Sequence, residues 1–306
     1  MRNSLRILLA VLVVLAVLAA IAAWLFGYDE PRVRMVKANN GCPGCELNNA
    51  SLWWIELIDA DLQRANLNGA NLWWSDLQRA DLRDATFLGA NLWWTDLRGA
   101  QLAGADFTHA AMGRTDLRGV NGAGVQLKQA DLSGANISGS TVPGANLWRA
   151  NLLQAIAQNV DLSGAILSEA NFHSVDLSGS NLAGAILIGA SLTRANLAAV
   201  NLAGADLTSA NLSEANLRDA DLRGANLRGA DLPTADMTRA DLRGANFEGA
   251  NLTWSTIVAA DLTGANLRKA NLGSADLTGA ILTGAILEGV RLCNTKLPTG
   301  VDNSGC

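Results

Sequence analysis

Residues 196–230 read NLAAV NLAGA DLTSA NLSEA NLRDA DLRGA NLRGA, with Leu at 197, 202, 207, 212, 217, 222 and 227. Each unit opens on Asp or Asn, carries Leu second, and ends on a small apolar residue. Outward from this stretch the same register runs both ways without insertion or deletion. Its central position falls on every number ending in 2 or 7 from Leu47 to Leu297, which makes 51 consecutive units. A short period repeated this strictly marks a solenoid, in which each unit buries its apolar residue only by stacking on its neighbours.

Composition agrees and narrows the function. Apolar residues make up 49% of the 306 positions but aromatics only 5%, as in a core built from one shape stacked in columns. The formal charge of −5 is mild. It argues against broad contact with nucleic-acid phosphates, which needs clustered Lys and Arg. It is equally small for a protein that imitates DNA by its negative field.

The units quoted above resemble the pentapeptide-repeat family, A(D/N)LxX, over about five-sixths of the chain. The resemblance implies an all-β solenoid, a right-handed quadrilateral β-helix in which four units form four sides and twenty residues complete one coil. The central Leu and the Ala two residues before it are expected inside, and the remaining three positions outside. At the ordinary strand spacing of about 4.8 Å, nearly thirteen coils give a rod of roughly 60 Å. Where Gly122 and Ala157 stand in central positions, the core is expected to thin.

Before the repeat, Ile7 to Phe26 is a twenty-residue run without charge, long enough as a helix to cross a hydrocarbon core. Arg2 and Arg6 precede it and Trp24, Phe26 and Tyr28 close it. A cleavable signal peptide ending near Ala20-Ile21-Ala22 is the competing reading. The expected organisation is therefore a transmembrane or signal-anchor helix at 1–27, a linker at 28–44, the repeat at 45–299 and a C-terminal tail at 300–306. A single-pass anchor would place the repeat in the periplasm or a lumen, although Arg32, Arg34 and Lys37 leave the cytoplasmic orientation open.

Four cysteines sit at the two ends: Cys42 and Cys45 in CPGC, Cys293 and Cys306 around the tail. Local disulfides stapling the ends, free thiols, and a redox or metal role for CPGC are the alternatives. A zinc site using both pairs would need the ends of a long rod to meet.

A twenty-residue coil turns spacing into position. Trp53-Trp54, Trp73-Trp74 and Trp93-Trp94 recur at intervals of twenty, so all six indoles should lie on one wall, facing outward. Trp254 shares the column of Trp54, and Trp148 lies on another side. Such a patch exceeds what a monomer usually leaves in water, and makes these residues the candidate contact surface for a partner protein, a second copy or a lipid headgroup layer. Self-stacking that merely reinforces the first coils is the plainer account. One wall also carries Glu56, Asp76, Asp96 and Asp116, with Arg98 and Arg118 nearby.

No enzyme is expected. His109 and His173 lie on different walls, and no phosphate loop, nucleophile–base pair or cofactor motif occurs. The leading expectation is a membrane-anchored, non-catalytic scaffold or interaction module without a cofactor. The alternatives are a regulator of a DNA-binding enzyme, which the resemblance brings through relatives shaped like B-DNA, and a thiol redox protein using CPGC.

Overall fold

The computed structural model describes residues 31–303 and 306. From Gly41 onward the backbone repeats one motif every five residues: a single bridge residue, then a tight turn. The bridges are all parallel and join residues twenty apart, from Gly41↔Asp61 and Ser51↔Asn71 to Asp276↔Lys296. Four turns per twenty residues make a four-sided coil.

Four backbone bonds recur at each side, three to neighbouring coils and one that closes the turn. The amide of the central residue donates to the coil above, as Leu52 N–H does to Asn71 C=O at 2.8 Å. The closing residue then completes the turn, as Ile55 N–H does on Leu52 C=O at 3.2 Å. The residue before the closing one is left-handed throughout, for example Gly204 at φ 66° and Arg194 at φ 58°. A turn of this kind needs φ > 0 at its third position, which is why Gly is so frequent there.

The central and closing residues fill the interior. Leu52, Leu72 and Leu92, with Ala60, Ala80 and Ala100, are buried in one continuous core. Burial of one such Leu contributes about 2 kcal/mol, and each supports the next along its column. Outward Asp and Asn form turns of their own: Asn71 Oδ1 accepts from Trp73 N–H at 3.3 Å, and Asp106 Oδ1 from Thr108 N–H at 2.9 Å. This local bond is the reason a short polar side chain opens each unit. Asn side chains also bond along the rod, as Asn171 Nδ2 does to Asn151 Oδ1 at 2.9 Å.

The N-terminal end is closed by a short helix, α1 (Pro31–Asn39). Its Val33 and Val36 are buried, joining the core cluster that begins with Leu47. At the other end β1 (Thr295–Leu297) and β2 (Gly300–Asp302) form an antiparallel pair. Disulfides join Cys42 to Cys45 and Cys293 to Cys306.

One expectation is corrected here. The run Ile7–Phe26 lies outside the described residues, and among the described residues no helix is long and apolar enough to cross a membrane. The nine residues of α1 span about 14 Å, half a hydrocarbon core, and carry Arg32, Arg34 and Lys37. Among the described residues the fold is a solenoid whose first coil is covered by a short polar helix, and they hold no transmembrane helix. The membrane-anchored placement, with the repeat in a periplasm or lumen, loses its support with it.

Candidate interaction surface

The twenty-residue register brings the six repeat tryptophans onto one side of three successive coils, through the bridges Ser51↔Asn71 and Asn71↔Asn91. They form two columns with different environments. Trp53, Trp73 and Trp93 take the first outward turn position and are half-buried. Trp54, Trp74 and Trp94 take the left-handed position, at φ 58°, 58° and 60°, and are 50%, 39% and 37% exposed. The six rings expected to face outward on one wall thus fall into two columns: one projects, and the other is half-buried.

The projecting rings stack along the rod. Trp54 and Trp74 have centroids 5.3 Å apart and planes within 12°; Trp74 and Trp94 are 5.6 Å apart at 30°. Trp73 meets Trp74 edge-on at 6.0 Å. Ring faces are therefore largely taken up by other rings, and indole edges face the solvent. The polar outward residues within these three units are Ser51, Asn71 and Asn91, and the last two are joined at 3.1 Å. No charged side chain belongs to the three Trp-bearing units.

Two residues absent from the sequence expectations end the ladder. One coil beyond Trp93 stands Gly113, where a methyl group would lie 2.5 Å from Cζ2 of the Trp93 indole. One coil beyond Trp94 stands Arg114, its guanidinium carbon 4.9 Å from the ring centroid, a cation–π closure. Beneath the wall, Ser75, Thr95 and Thr115 replace the closing Ala. Their hydroxyls donate to Leu52, Leu72 and Leu92 C=O at 2.6, 2.8 and 2.8 Å. The signal lay in the sequence as Ser75 after Trp73-Trp74, Thr95 after Trp93-Trp94 and Thr115 after Gly113-Arg114. Its use depends on the corner geometry.

The remaining candidates stay apart. Trp254 projects alone at 67% exposure, far along the column of Trp54, and Trp148 is covered by Arg149 at 4.5 Å. The stack of Glu56, Asp76, Asp96 and Asp116 is continuous through its bridges, but its upper half is neutralised. Arg98 pairs with Asp96 at 2.6 Å and reaches Asp116 at 3.7 Å, and Arg118 pairs with Asp116 at 2.6 Å. Burial pushes the Asp116 carboxyl up, yet the hydrogen bonds from Arg118 outweigh it and hold that group below the usual carboxylate range. Similar pairs recur at Arg83–Asp81, Arg223–Asp221 and Arg243–Asp241. Among the described residues no group of His, Cys, Asp and Glu is placed to hold a metal ion. The CPGC cysteines take the central and closing positions of the unit that follows α1, and are bonded to each other.

A four-sided parallel coil of five-residue units with small polar residues at its bridge positions defines a repeat-solenoid class of protein. The family model for pentapeptide repeats matches eight times between residues 45 and 297, and the chain belongs to that family. It is similar to HetL, a pentapeptide repeat protein involved in heterocyst differentiation regulation from the cyanobacterium Nostoc sp. strain PCC 7120. The identity is 32% over 81% of this chain and 91% of HetL, with a TM-score of 0.35. A pentapeptide repeat protein of the Arabidopsis thaliana thylakoid lumen is 38% identical over 30% of this chain and 61% of its own, at a TM-score of 0.24. QnrB1, a plasmid-mediated fluoroquinolone resistance protein, is 24% identical over 62% of this chain and 88% of its own, at 0.37. No curated protein sequence matches significantly.

Proposed function

We propose that this chain is a non-catalytic scaffold or interaction module that receives a partner protein on the tryptophan wall of its first coils. The observation that carries the reading is the projecting column Trp54, Trp74 and Trp94, held in left-handed turns on a side whose own units bear no charge. A bulky residue with φ > 0 is unfavourable, and backbone requirements alone would be met by Gly. Tryptophan placed there three times in register, with its edge to solvent, is suited to desolvation by a partner, because large aromatic rings dominate protein contacts. HetL, related at 32% identity, is described as involved in regulation, a task that an interaction module serves.

The pairing of wall carboxylates with Arg speaks for this reading over a DNA-like negative surface. It breaks the acidic columns into ion pairs. The test replaces Trp54, Trp74 and Trp94 together by Ser and compares partner complexes formed by the full chain in its native cells. Loss of a complex that the Trp254→Ser control retains, with unchanged circular dichroism, supports the wall. Retention of every complex by the triple variant removes it.

A further inference from the structure

The tryptophan ladder is closed at one end only. Beyond Trp94, Arg114 lays its guanidinium on the last indole, 4.9 Å from the centroid. Trp54 meets Trp74 on the face toward the second coil. Its other face therefore looks to the N-terminal end of the rod, and among the described residues no ring or cation is stacked on it. Exposure follows the same asymmetry, falling from 50% at Trp54 through 39% at Trp74 to 37% at Trp94.

The charges beside the ladder are uneven in the same sense. On the adjoining wall a carboxylate stands two residues after each projecting indole, at Glu56, Asp76 and Asp96. Asp96 is paired with Arg98 at 2.6 Å. Asp76 is bonded within its own turn, by Gln78 N–H at 3.0 Å and Gln78 Nε2 at 2.9 Å, and has no ion pair among the described residues. Glu56 is exposed and has neither an ion pair nor a side-chain hydrogen bond among them. Arg79, on the same wall, is committed to Asp59 through two bonds of 2.7 Å.

The rod itself shows what completes such an arrangement. On another wall Arg149 lies over Trp148, 4.5 Å from its centroid, while its guanidinium bonds Glu169 at 2.7 Å. Indole face, guanidinium and carboxylate form one cluster there. At Trp54 and Glu56 the indole and the carboxylate are present, and no described residue provides the cation.

We propose, on the reading of the tryptophan wall as a contact surface, that the free face of Trp54 with Glu56 beside it receives an arginine side chain of the partner protein. A guanidinium suits this position better than an ammonium. It is planar and weakly hydrated, so it spreads over an indole while its edge donates two parallel bonds to a carboxylate. An ammonium reaches the charge of Glu56 without covering the ring. The rest of the arginine-bearing segment runs along the uncharged units toward Trp74 and Trp94, where its apolar groups desolvate the ring edges. Trp254 marks the contrast: it projects at 67% exposure, but Thr256 stands where the row would supply a carboxylate.

The experiment titrates the full chain with the blocked peptide acetyl-Gly-Ser-Arg-Ser-Gly-amide and follows the indole N–H resonances, that of Trp54 being identified by its loss in Trp54→Phe. A saturable shift at Trp54 is expected, with a smaller one at Trp74 and none at Trp254. The Gln analogue of the peptide gives no shift, and the Lys analogue binds about threefold more weakly. Glu56→Gln weakens the Arg peptide about threefold, in line with an exposed ion pair, and Trp54→Ser removes the shift at Trp74. In native cells Glu56→Lys, with unchanged circular dichroism, releases the complex that the triple Trp54, Trp74 and Trp94 variant loses. Equal binding of the Gln or Lys analogue, an equal response at Trp254, indifference to Glu56→Gln, or a complex retained by Glu56→Lys overturns the arginine site and leaves the wall standing. Retention of every complex by the triple variant removes the wall, and the site with it.

Discussion

The indole of Trp93 lies over Gly113, twenty residues and one coil further on, in the space a side chain there would need. The same column holds Gly273, eight coils later, where an added methyl group meets nothing closer than Asn271 Oδ1 at 3.3 Å. Gly113→Ala is therefore expected to displace the ring and cost about 1–3 kcal/mol, the range of overpacking, with a shift in tryptophan emission. Gly273→Ala should change stability by well under half of that. Equal costs in urea unfolding would show that Trp93 does not depend on this seat.

Trp74 sits at φ 58° between two stacked neighbours. A left-handed non-glycine residue costs roughly 1–2 kcal/mol, and each aromatic pair returns about 0.5–1.5 kcal/mol. Trp74→Gly relieves the strain but removes three ring contacts, to Trp54, Trp94 and Trp73, so its net cost should stay at about 1–2 kcal/mol. A much larger loss would mean that the ladder is chiefly a structural brace, and would weaken the case for a docking wall.

The thinned core at Gly122 is compensated locally. Gly122 lacks the four side-chain carbons of Leu, while Val120 and Val125, at the flanking closing positions, carry two more carbons each than Ala. What remains is an apolar cavity of about 20 Å³ bordered by Leu102, Phe107, Met112 and Leu117, a lining that keeps such a space dry. A side chain at 122 would start 3.1 Å from Leu102 Cβ and 3.3 Å from Val142 Cγ1. Gly122→Leu alone should cost about 1–3 kcal/mol. Combined with Val120→Ala and Val125→Ala it should recover most of the loss, and strict additivity in the mutant cycle would refute the compensation.

Acid should loosen the C-terminal end early. The Asp276 carboxyl is held down to about 2 by the hydroxyl of Thr278 and then by the ammonium of Lys296, 2.9 Å away. Its unfolded value is near 3.9. A depressed folded value contributes stability above pH ~4, and that contribution is lost as pH falls from about 4 toward 2. Asp276→Asn should flatten the fall of Tm over this interval. The pair is partly exposed, so the effect is small, but an unchanged slope would exclude it.

Much of the architecture is written in the sequence, because a period of five with Leu at its centre has few ways to bury itself. The twenty-residue recurrence likewise puts Trp53, Trp73 and Trp93 in one column. What escapes such a reading is decided within the turn. Neighbouring tryptophans divide into a half-buried and a projecting ring because only the second occupies the left-handed position. Gly113 and Arg114 look like lapses from consensus until the rings of the preceding coil are placed on them. The helix α1 is hard to see because two residues, Val33 and Val36, make its whole buried face.

The bridge spacing of twenty gives the molecule the properties of an indexed shaft. Excising residues 161–180 would shorten it by a single rung and leave each face aligned with its former counterpart. Excising 161–165 would turn everything downstream by a quarter revolution relative to the indoles. Length can thus be adjusted freely only in whole coils, and any other increment re-aims one end against the other.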